Sequence, residues 1–111
     1  MRILLALFLF TPAALASQAS NPFTLAVLHN VQVSWTSSPT PTVNGYNVYR
    51  GTASGHEALL TGVGDMTSYA DTAVTPGQTY YYYVTAVILC NGVVIAESGP
   101  SNEVSATVPS P

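Results

Sequence analysis

Short runs in which apolar and polar residues alternate constrain this chain more than any other feature. Val31, Val33 and Trp35 alternate with polar residues, and Tyr46 and Val48 repeat the pattern further along. A period of two places successive side chains on opposite faces of a strand, whereas a helix requires a period near 3.6. No long stretch after the N-terminal segment has helical spacing. The pattern therefore predicts strands throughout.

Turn-forming pairs separate these runs. They include residues 44–45 (Asn-Gly), 76–77 (Pro-Gly) and 91–92 (Asn-Gly). Proline fixes φ near the value that turns require, and glycine accepts positive φ, so such pairs favour chain reversal. Strands at intervals of roughly 8 to 12 residues with turns between them indicate an antiparallel sandwich or barrel.

Length and charge narrow the function classes. The chain has 111 residues, which is enough for one domain but not for a catalytic domain and a separate binding domain. Its net charge is −3, with two Lys and Arg residues in total. Because nucleic-acid binding needs clustered basic side chains, we expect no nucleic-acid partner.

The N-terminal segment is typical of a secretory signal peptide. Arg2 precedes an unbroken apolar run at residues 3–10, and small residues lead up to Ala16. We predict a signal peptide over residues 1–16, with Ala19 as the alternative cleavage position. The run is much shorter than the ~20 residues that cross a bilayer, so we expect no membrane span after cleavage and a secreted or periplasmic protein.

Four later segments together resemble a known family. They read GYNVYR at 45–50, TSYADT at 67–72, VTPGQTY at 74–80 and SNEVSAT at 101–107. In this order they resemble the fibronectin type III family, particularly its secreted bacterial modules. The resemblance implies an all-β, immunoglobulin-like antiparallel β-sandwich of about seven strands. It further implies a domain at 23–108, a short N-terminal extension at 17–22 and a tail at 109–111.

The resemblance also implies a set of structural residues. Trp35 is expected to fill the space between two sheets, since a large aromatic side chain buries much area. Tyr80 matches the tyrosine corner of the family, whose hydroxyl group bonds to the backbone of the preceding turn. The expected structural core comprises Trp35, Tyr46, Val48, Tyr80 and Val84.

Residues suited to catalysis or metal binding are few. His29 and His56 are the chain's two histidines, and neither has a metal-ligand spacing, so we expect both at the surface and no metal or cofactor. Residues 52–55 lack the first glycine of a nucleophile elbow. We expect no enzyme activity. A small hydrolase stays as a distant alternative, because a catalytic triad is a spatial arrangement.

A row of tyrosines is the first candidate binding feature. Alternation places Tyr49, Tyr81 and Tyr83 on the outward side of their strands. The resemblance implies that these strands are neighbours in one sheet, so the tyrosines should form a stripe, with Arg50 nearby for a cation–π contact. This candidate binding face suits sugar rings and proteins alike. The alternative is that the tyrosines are present only because they favour strands and tolerate half exposure.

The apolar segment at 88–96 is the second candidate feature. Asn91 and Gly92 at its centre predict a hairpin with a type I′ turn. The hairpin either folds back onto the core or projects as an interaction surface or aggregation-prone edge. The candidate interaction residues are Leu89, Cys90, Val93 and Val94.

Cys90 is the single cysteine of the chain. Counting by twos from Tyr80 places it on the inward side, so we expect a small buried hydrophobic residue. An unpaired cysteine in a secreted protein also suggests a disulfide between two copies.

These features predict a secreted, non-enzymatic binding or adhesion module. In bacterial members of the family that the chain resembles, such modules commonly accompany extracellular enzymes that degrade polysaccharides. The implied partner is therefore a carbohydrate or a protein at the cell surface or outside the cell. The alternative function is an extracellular structural protein that self-associates as a homodimer through the hairpin and Cys90.

Overall fold

The computed structural model describes residues 4–14 and 27–110, and within these ranges the ordered elements are strands and turns. Among these residues there is no helix with the length and apolar character needed to cross a membrane. The strands are β1 (Leu4–Ala14), β2 (Val27–Thr36), β3 (Gly45–Gly51), β4 (Ala58–Val63), β5 (Ser68–Asp71), β6 (Thr79–Cys90), β7 (Val93–Glu97) and β8 (Val104–Thr107).

The strands form two antiparallel sheets. One sheet has the order β1-β2-β5, and the other has the order β4-β3-β6-β7, with β8 also paired to β6. Strands β7 and β8 both pair with the long strand β6. Strand β7 pairs with the last residues of β6, and β8 pairs with the first residues of β6. The predicted all-β, immunoglobulin-like antiparallel sandwich is confirmed.

Strand β1 lies within the predicted signal peptide. Its backbone pairs antiparallel with β2, from Leu4 opposite Thr36 to Ala14 opposite Val27. The two alternative cleavage positions and the extension at 17–22 lie outside the described residues, as do the first residues of the predicted domain. Removal of the segment 1–16 stays a prediction. It would leave β2 as an edge strand of its sheet.

The core lies between the two sheets. All five residues expected there are buried, together with fully buried neighbours such as Val31 and Val33. The rings of Trp35 and Tyr46 pack at 5.6 Å between centroids with a tilt of 55°. Tilted aromatic pairs of this kind are favourable beyond their buried area. The inward positions of β2, β3 and β6 thus supply the apolar layer.

A buried carboxylate joins the two sheets. Asp71, the last residue of β5, is 1% exposed. Its carboxylate accepts hydrogen bonds from Arg50 Nη1 at 2.8 and 3.0 Å, from the Tyr82 hydroxyl at 2.7 Å and from the Ala73 amide at 3.1 Å. Arg50 and Tyr82 belong to the opposite sheet. The carboxylate therefore ties β5 to β3 and β6.

The environment of this carboxylate shifts the pKa values of its donors. Burial disfavours the charged form of Arg50, but the hydrogen bond and attraction from Asp71 outweigh it, so the pKa of Arg50 is raised. Burial, followed by the hydrogen bond to Asp71, strongly raises the pKa of Tyr82. Both groups consequently remain hydrogen-bond donors over the physiological pH range.

Two tyrosine hydroxyls anchor turns. The Thr75 amide donates to the Tyr80 hydroxyl at 2.9 Å, which is the hydrogen bond expected of a tyrosine corner. The Ser38 amide donates to the Tyr46 hydroxyl at the same distance of 2.9 Å, a contact that the sequence did not indicate. Gly77 adopts φ of 84°, which allows the tight turn before β6.

One histidine expectation is wrong. His29 was expected at the surface but is buried, whereas His56 is exposed in the connection between β3 and β4. His29 shares the alternation of Val31 and Val33 on β2, and therefore points to the same inward side. His29 lies two positions before Val31, and because it is polar it does not stand out in the sequence as part of the alternating apolar pattern.

Removing the positive partner of Asp71 should destabilise the protein strongly. We expect Arg50→Met to lower the free energy of unfolding by about 3 kcal/mol, because it leaves a buried carboxylate without its cation. Urea denaturation measures this change. The double variant Arg50→Met/Asp71→Asn should lose less than the sum of its two single variants, and strict additivity would contradict the coupling.

Candidate functional site

The outer side of the five-stranded sheet carries the expected tyrosines. Tyr49 on β3 lies directly opposite Tyr83 on β6, and Tyr81 lies two residues earlier on β6, opposite Gly51. All three tyrosine side chains are partly exposed. We call this surface the tyrosine face, defined by Asn47, Tyr49, Tyr81, Tyr83, Thr85 and Glu97.

Two of the tyrosines stack. The rings of Tyr49 and Tyr83 lie 4.6 Å apart between centroids, at an interplanar angle of 17°. Directly opposite residues of an antiparallel pair are close enough for aromatic rings to meet in this way. Each ring covers one face of the other. The other face of each ring takes no part in the stack.

Glu97 borders this stack at the end of β7. Its Oε2 accepts hydrogen bonds from the Tyr49 hydroxyl at 2.5 Å, from Thr85 Oγ1 at 2.6 Å and from Asn47 Nδ2 at 3.4 Å. The hydrogen bond from Thr85, followed by that from Tyr49, lowers the pKa of Glu97. The hydrogen bond between Tyr49 and Glu97, followed by burial, raises the pKa of Tyr49. The network therefore holds an ionised carboxylate beside a neutral phenol.

A pair of carboxyl groups, those of Glu57 and Glu103, lies near the same sheet. Glu103 accepts hydrogen bonds from Ser54 Oγ at 2.7 Å and from the Gly55 amide at 3.0 Å. Burial, followed by a hydrogen bond to Glu103, raises the pKa of Glu57, whereas hydrogen bonds from Glu57 and Ser54 lower the pKa of Glu103. One carboxyl group of the pair thus retains its proton to a higher pH than the other.

The negative charges of Glu57 and Glu97 both act on the stacked tyrosines. The pKa of Tyr83 is raised by burial first and then by the negative charges of Glu57 and Glu97. Tyr83 therefore stays neutral, and its ring lies in a negative potential that comes from Glu57 in the loop before β4 and from Glu97 at the end of β7. A positive group approaching this ring would be attracted by the carboxylates and by the ring itself.

Arg50 does not belong to this face. Its guanidinium group lies on the inner side, where it pairs with Asp71 and sits 5.2 Å from the centroid of the Tyr80 ring. The expectation that it would stand beside the outward tyrosines is wrong. Arg50 shares the parity of Tyr46 and Val48 on β3, which is the inward parity.

The predicted hairpin is formed by β6 and β7. Asn91 and Gly92 have φ of 53° and 80°, the positive values that a type I′ turn requires. The Asn44 side chain holds its base, because Nδ2 donates to the Leu89 carbonyl at 3.0 Å and Oδ1 accepts from the Leu89 amide at 2.7 Å. The hairpin is thereby fixed to the segment before β3.

The hairpin projects beyond the core. Val93 and Ile95 are 61% and 63% exposed, and Val94 is also exposed. Cys90 is exposed as well, so the expectation of a buried cysteine is wrong. The pairing of β6 with β3 ends at Val87, and residues 88–90 pair with β7 alone. The inward direction at Cys90 therefore faces no opposing layer.

No group of three or more His, Cys, Asp or Glu residues within 4–14 and 27–110 could hold a metal ion. The protein is an immunoglobulin-like sandwich, as its two sheets and tyrosine corner show. Sandwiches of this kind serve as binding or structural modules.

Comparisons with known proteins agree with this class. No family model and no curated protein matches the chain. An Fn3-like protein from Clostridium thermocellum is 30% identical, with 91% of this chain and 93% of that chain covered and a TM-score of 0.59. The chain therefore belongs to the fibronectin type III-like family.

Two further structures share the fold. A human fibronectin type III domain is 19% identical, with 98% of this chain and 74% of that chain covered and a TM-score of 0.58. A β-1,2-glucanase from Parabacteroides distasonis is 22% identical and has a TM-score of 0.64, and the match covers 96% of this chain but 13% of the glucanase. The matched region is thus a small part of that enzyme.

The carboxylates of this site were not predicted from the sequence. Glu97 lies 48 residues from Tyr49 along the chain, and Glu103 lies 49 residues from Ser54. The register of β6 with β3 and β7 brings Glu97 to Tyr49, and the pairing of β8 with β6 brings Glu103 toward the loop after β3. The pairing of Glu97 with Val87, which shares the parity of Tyr81 and Tyr83, places its side chain on their side of the sheet.

The Glu97 network should be visible by carbon-detected NMR titration. We expect a pKa below the ordinary value of 4.5. The resulting stabilisation is complete above that ordinary value and is lost as the pH falls through the lower pKa of the folded state. Thr85→Val should move the pKa of Glu97 upward because it removes one donor. Thr107→Val is the matched control on the same sheet, and an equal shift in both variants would contradict the assignment.

Proposed function

We propose that this chain is a secreted, non-enzymatic binding module whose tyrosine face retains a carbohydrate or a protein at the cell surface or outside the cell. The observation that carries the proposal is the stacked pair of Tyr49 and Tyr83, which lies partly exposed on an open sheet. Neither ring packs in the core. Partly exposed aromatic side chains with carboxylates around them suit recognition of a ligand surface.

The fold supports a binding role without chemistry of its own. Sheet faces and loops of such sandwiches carry function, while the core residues serve stability. The similarity to part of a β-1,2-glucanase supports carbohydrate as one ligand class, because that enzyme acts on a glycan. Protein ligands are the other class. Both would meet the same rings.

Ligand retention should depend on the stacked rings. We expect Tyr83→Ala to weaken binding by roughly 5- to 30-fold, since truncation of a central interface aromatic typically costs about 1–2 kcal/mol. Affinity electrophoresis on soluble neutral glycans and pull-down with isolated cell-surface proteins provide the two assays. Thermal unfolding of the variant confirms that it is folded.

The control for this experiment lies in the connection between β4 and β5. Met66→Ala removes a side chain that is 56% exposed and belongs to neither candidate surface, so retention should be unchanged. Equal losses in Tyr83→Ala and Met66→Ala would contradict a binding role for the tyrosine face. Retention that is the same in all three proteins would do so as well.

A second candidate function is self-association through the hairpin. Val93, Val94 and Ile95 form an exposed apolar segment on β7, which is the last strand of its sheet in the described part of the chain. Unpaired edge strands with apolar side chains favour pairing with another chain. Cys90 is exposed at the same hairpin, so two copies brought together there could form a disulfide by transferring two electrons to a disulfide-donating oxidant.

Light-scattering mass across a concentration series tests this second function. A dimer through β7 should be weakened by Ile95→Asp, which places a charge on the exposed edge. A disulfide contribution should disappear with reductant and in Cys90→Ser. A monomeric mass at every concentration, with and without reductant, would reject self-association.

A further inference from the structure

We infer that the tyrosine face binds a basic protein segment, with an arginine or lysine side chain seated against the stacked rings and the carboxylates around them. This inference rests on the proposed function and narrows its ligand to protein. It is carried by three observations: the placement of the acidic residues, the use of the hydrogen-bond donors, and the geometry of the stack.

Acidic residues are concentrated at this face. The chain has five. Glu57 and Glu97 act on the ring of Tyr83, and Glu103 is hydrogen-bonded to Glu57. Asp71 lies in the core and is neutralised by Arg50. Asp65 lies in the exposed turn after β4. Most of the uncompensated negative charge therefore falls on one side of one sheet.

Little positive charge opposes these carboxylates. Arg2 and Arg50 are the basic residues of the chain, apart from its two histidines. Arg50 is directed to the inner side, and Arg2 lies outside the described residues. His56 is exposed next to Glu57 in the loop between β3 and β4. The face therefore presents a negative potential to a partner near neutral pH.

The hydrogen-bonding groups nearest the stack are complementary to a donor. The hydroxyls of Tyr49 and Thr85 and the amide of Asn47 all donate to Oε2 of Glu97. Both hydroxyl donors and one of the two amide N–H groups of Asn47 are thus used within the protein, while the carboxylates still offer lone pairs. Arginine and lysine have donors and no acceptor, whereas a sugar hydroxyl group needs both kinds of partner. A cation therefore fits this arrangement better than a neutral glycan does.

The stack itself also favours a cation. Tyr49 and Tyr83 cover one face of each other, so they do not offer a continuous aromatic platform to a sugar ring. One face of each ring remains, and its negative quadrupole attracts a guanidinium or ammonium group within about 6 Å. The adjacent carboxylates act in the same direction. An anionic glycan would be repelled.

Fluorescence anisotropy with a labelled hexa-arginine peptide tests this inference on the full chain. We expect binding that weakens with added salt. Glu97→Gln and Glu103→Gln should each weaken it by roughly two- to fivefold, in line with the loss of one exposed ion pair. Asp65→Asn is the matched control because it removes the same charge elsewhere, and it should change the affinity by less than about 1.5-fold. Tyr83→Ala should weaken binding as well.

The outcomes separate the inference from the proposed function. Absence of peptide binding, or an equal effect of Asp65→Asn and Glu97→Gln, overturns the basic partner. Soluble β-1,2-glucan, tested in parallel, provides the distinction. Glucan binding that is lost in Tyr83→Ala but kept in Glu97→Gln would retain the proposed function with a carbohydrate ligand. Thermal unfolding of each variant ensures that folded proteins are compared.

Discussion

The carboxylate of Asp71 is the constraint on which the remaining structure depends. A buried charge is tolerated only when a cation and several hydrogen bonds compensate it. Here that requirement draws Arg50 and Tyr82 from one sheet toward β5 of the other. It also has a consequence outside the core. Because Arg50 is used on the inner side, the outer side of the same sheet keeps its acidic residues without a compensating arginine. The polar link that joins the sheets and the negative character of the tyrosine face thus have one origin.

Alternation along β6 assigns different roles to identical residues. Tyr80 and Tyr82 point inward, where one anchors the turn before the strand and the other donates to the buried carboxylate. Tyr83 points outward and stacks on Tyr49. A shift of one residue in register would exchange these sides and place the outward tyrosines in the core. The tyrosine corner and the buried donor therefore fix the orientation of the outer stack, even though neither touches it.

The features that sequence could predict are those set by local alternation and turn chemistry. The strands, the side of each strand to which its residues point and the turn at Asn91 follow from spacing and turn chemistry. The sandwich, the place of Trp35 between the sheets and the neighbouring strands of Tyr49 and Tyr83 followed from the resemblance to the family. The carboxylates around the stack did not follow, because contacts between residues nearly 50 positions apart depend on strand register. The predicted burial of Cys90 was wrong for a related reason. Parity gives the direction of a side chain, but burial also requires an opposing layer, and the hairpin extends past the strand that would provide it.

The two candidate surfaces are physically connected through β7. Glu97, which closes the network at the stack, is the last residue of the same strand whose apolar side chains are exposed. If two copies paired antiparallel along their β7 edges, the five-stranded sheets would join, and the twofold axis would run perpendicular to them. Both tyrosine faces would then lie on the same side of one sheet. A weak site displayed twice gains avidity for a repetitive or multivalent partner. Self-association and ligand binding would in that case be two parts of one function rather than rivals.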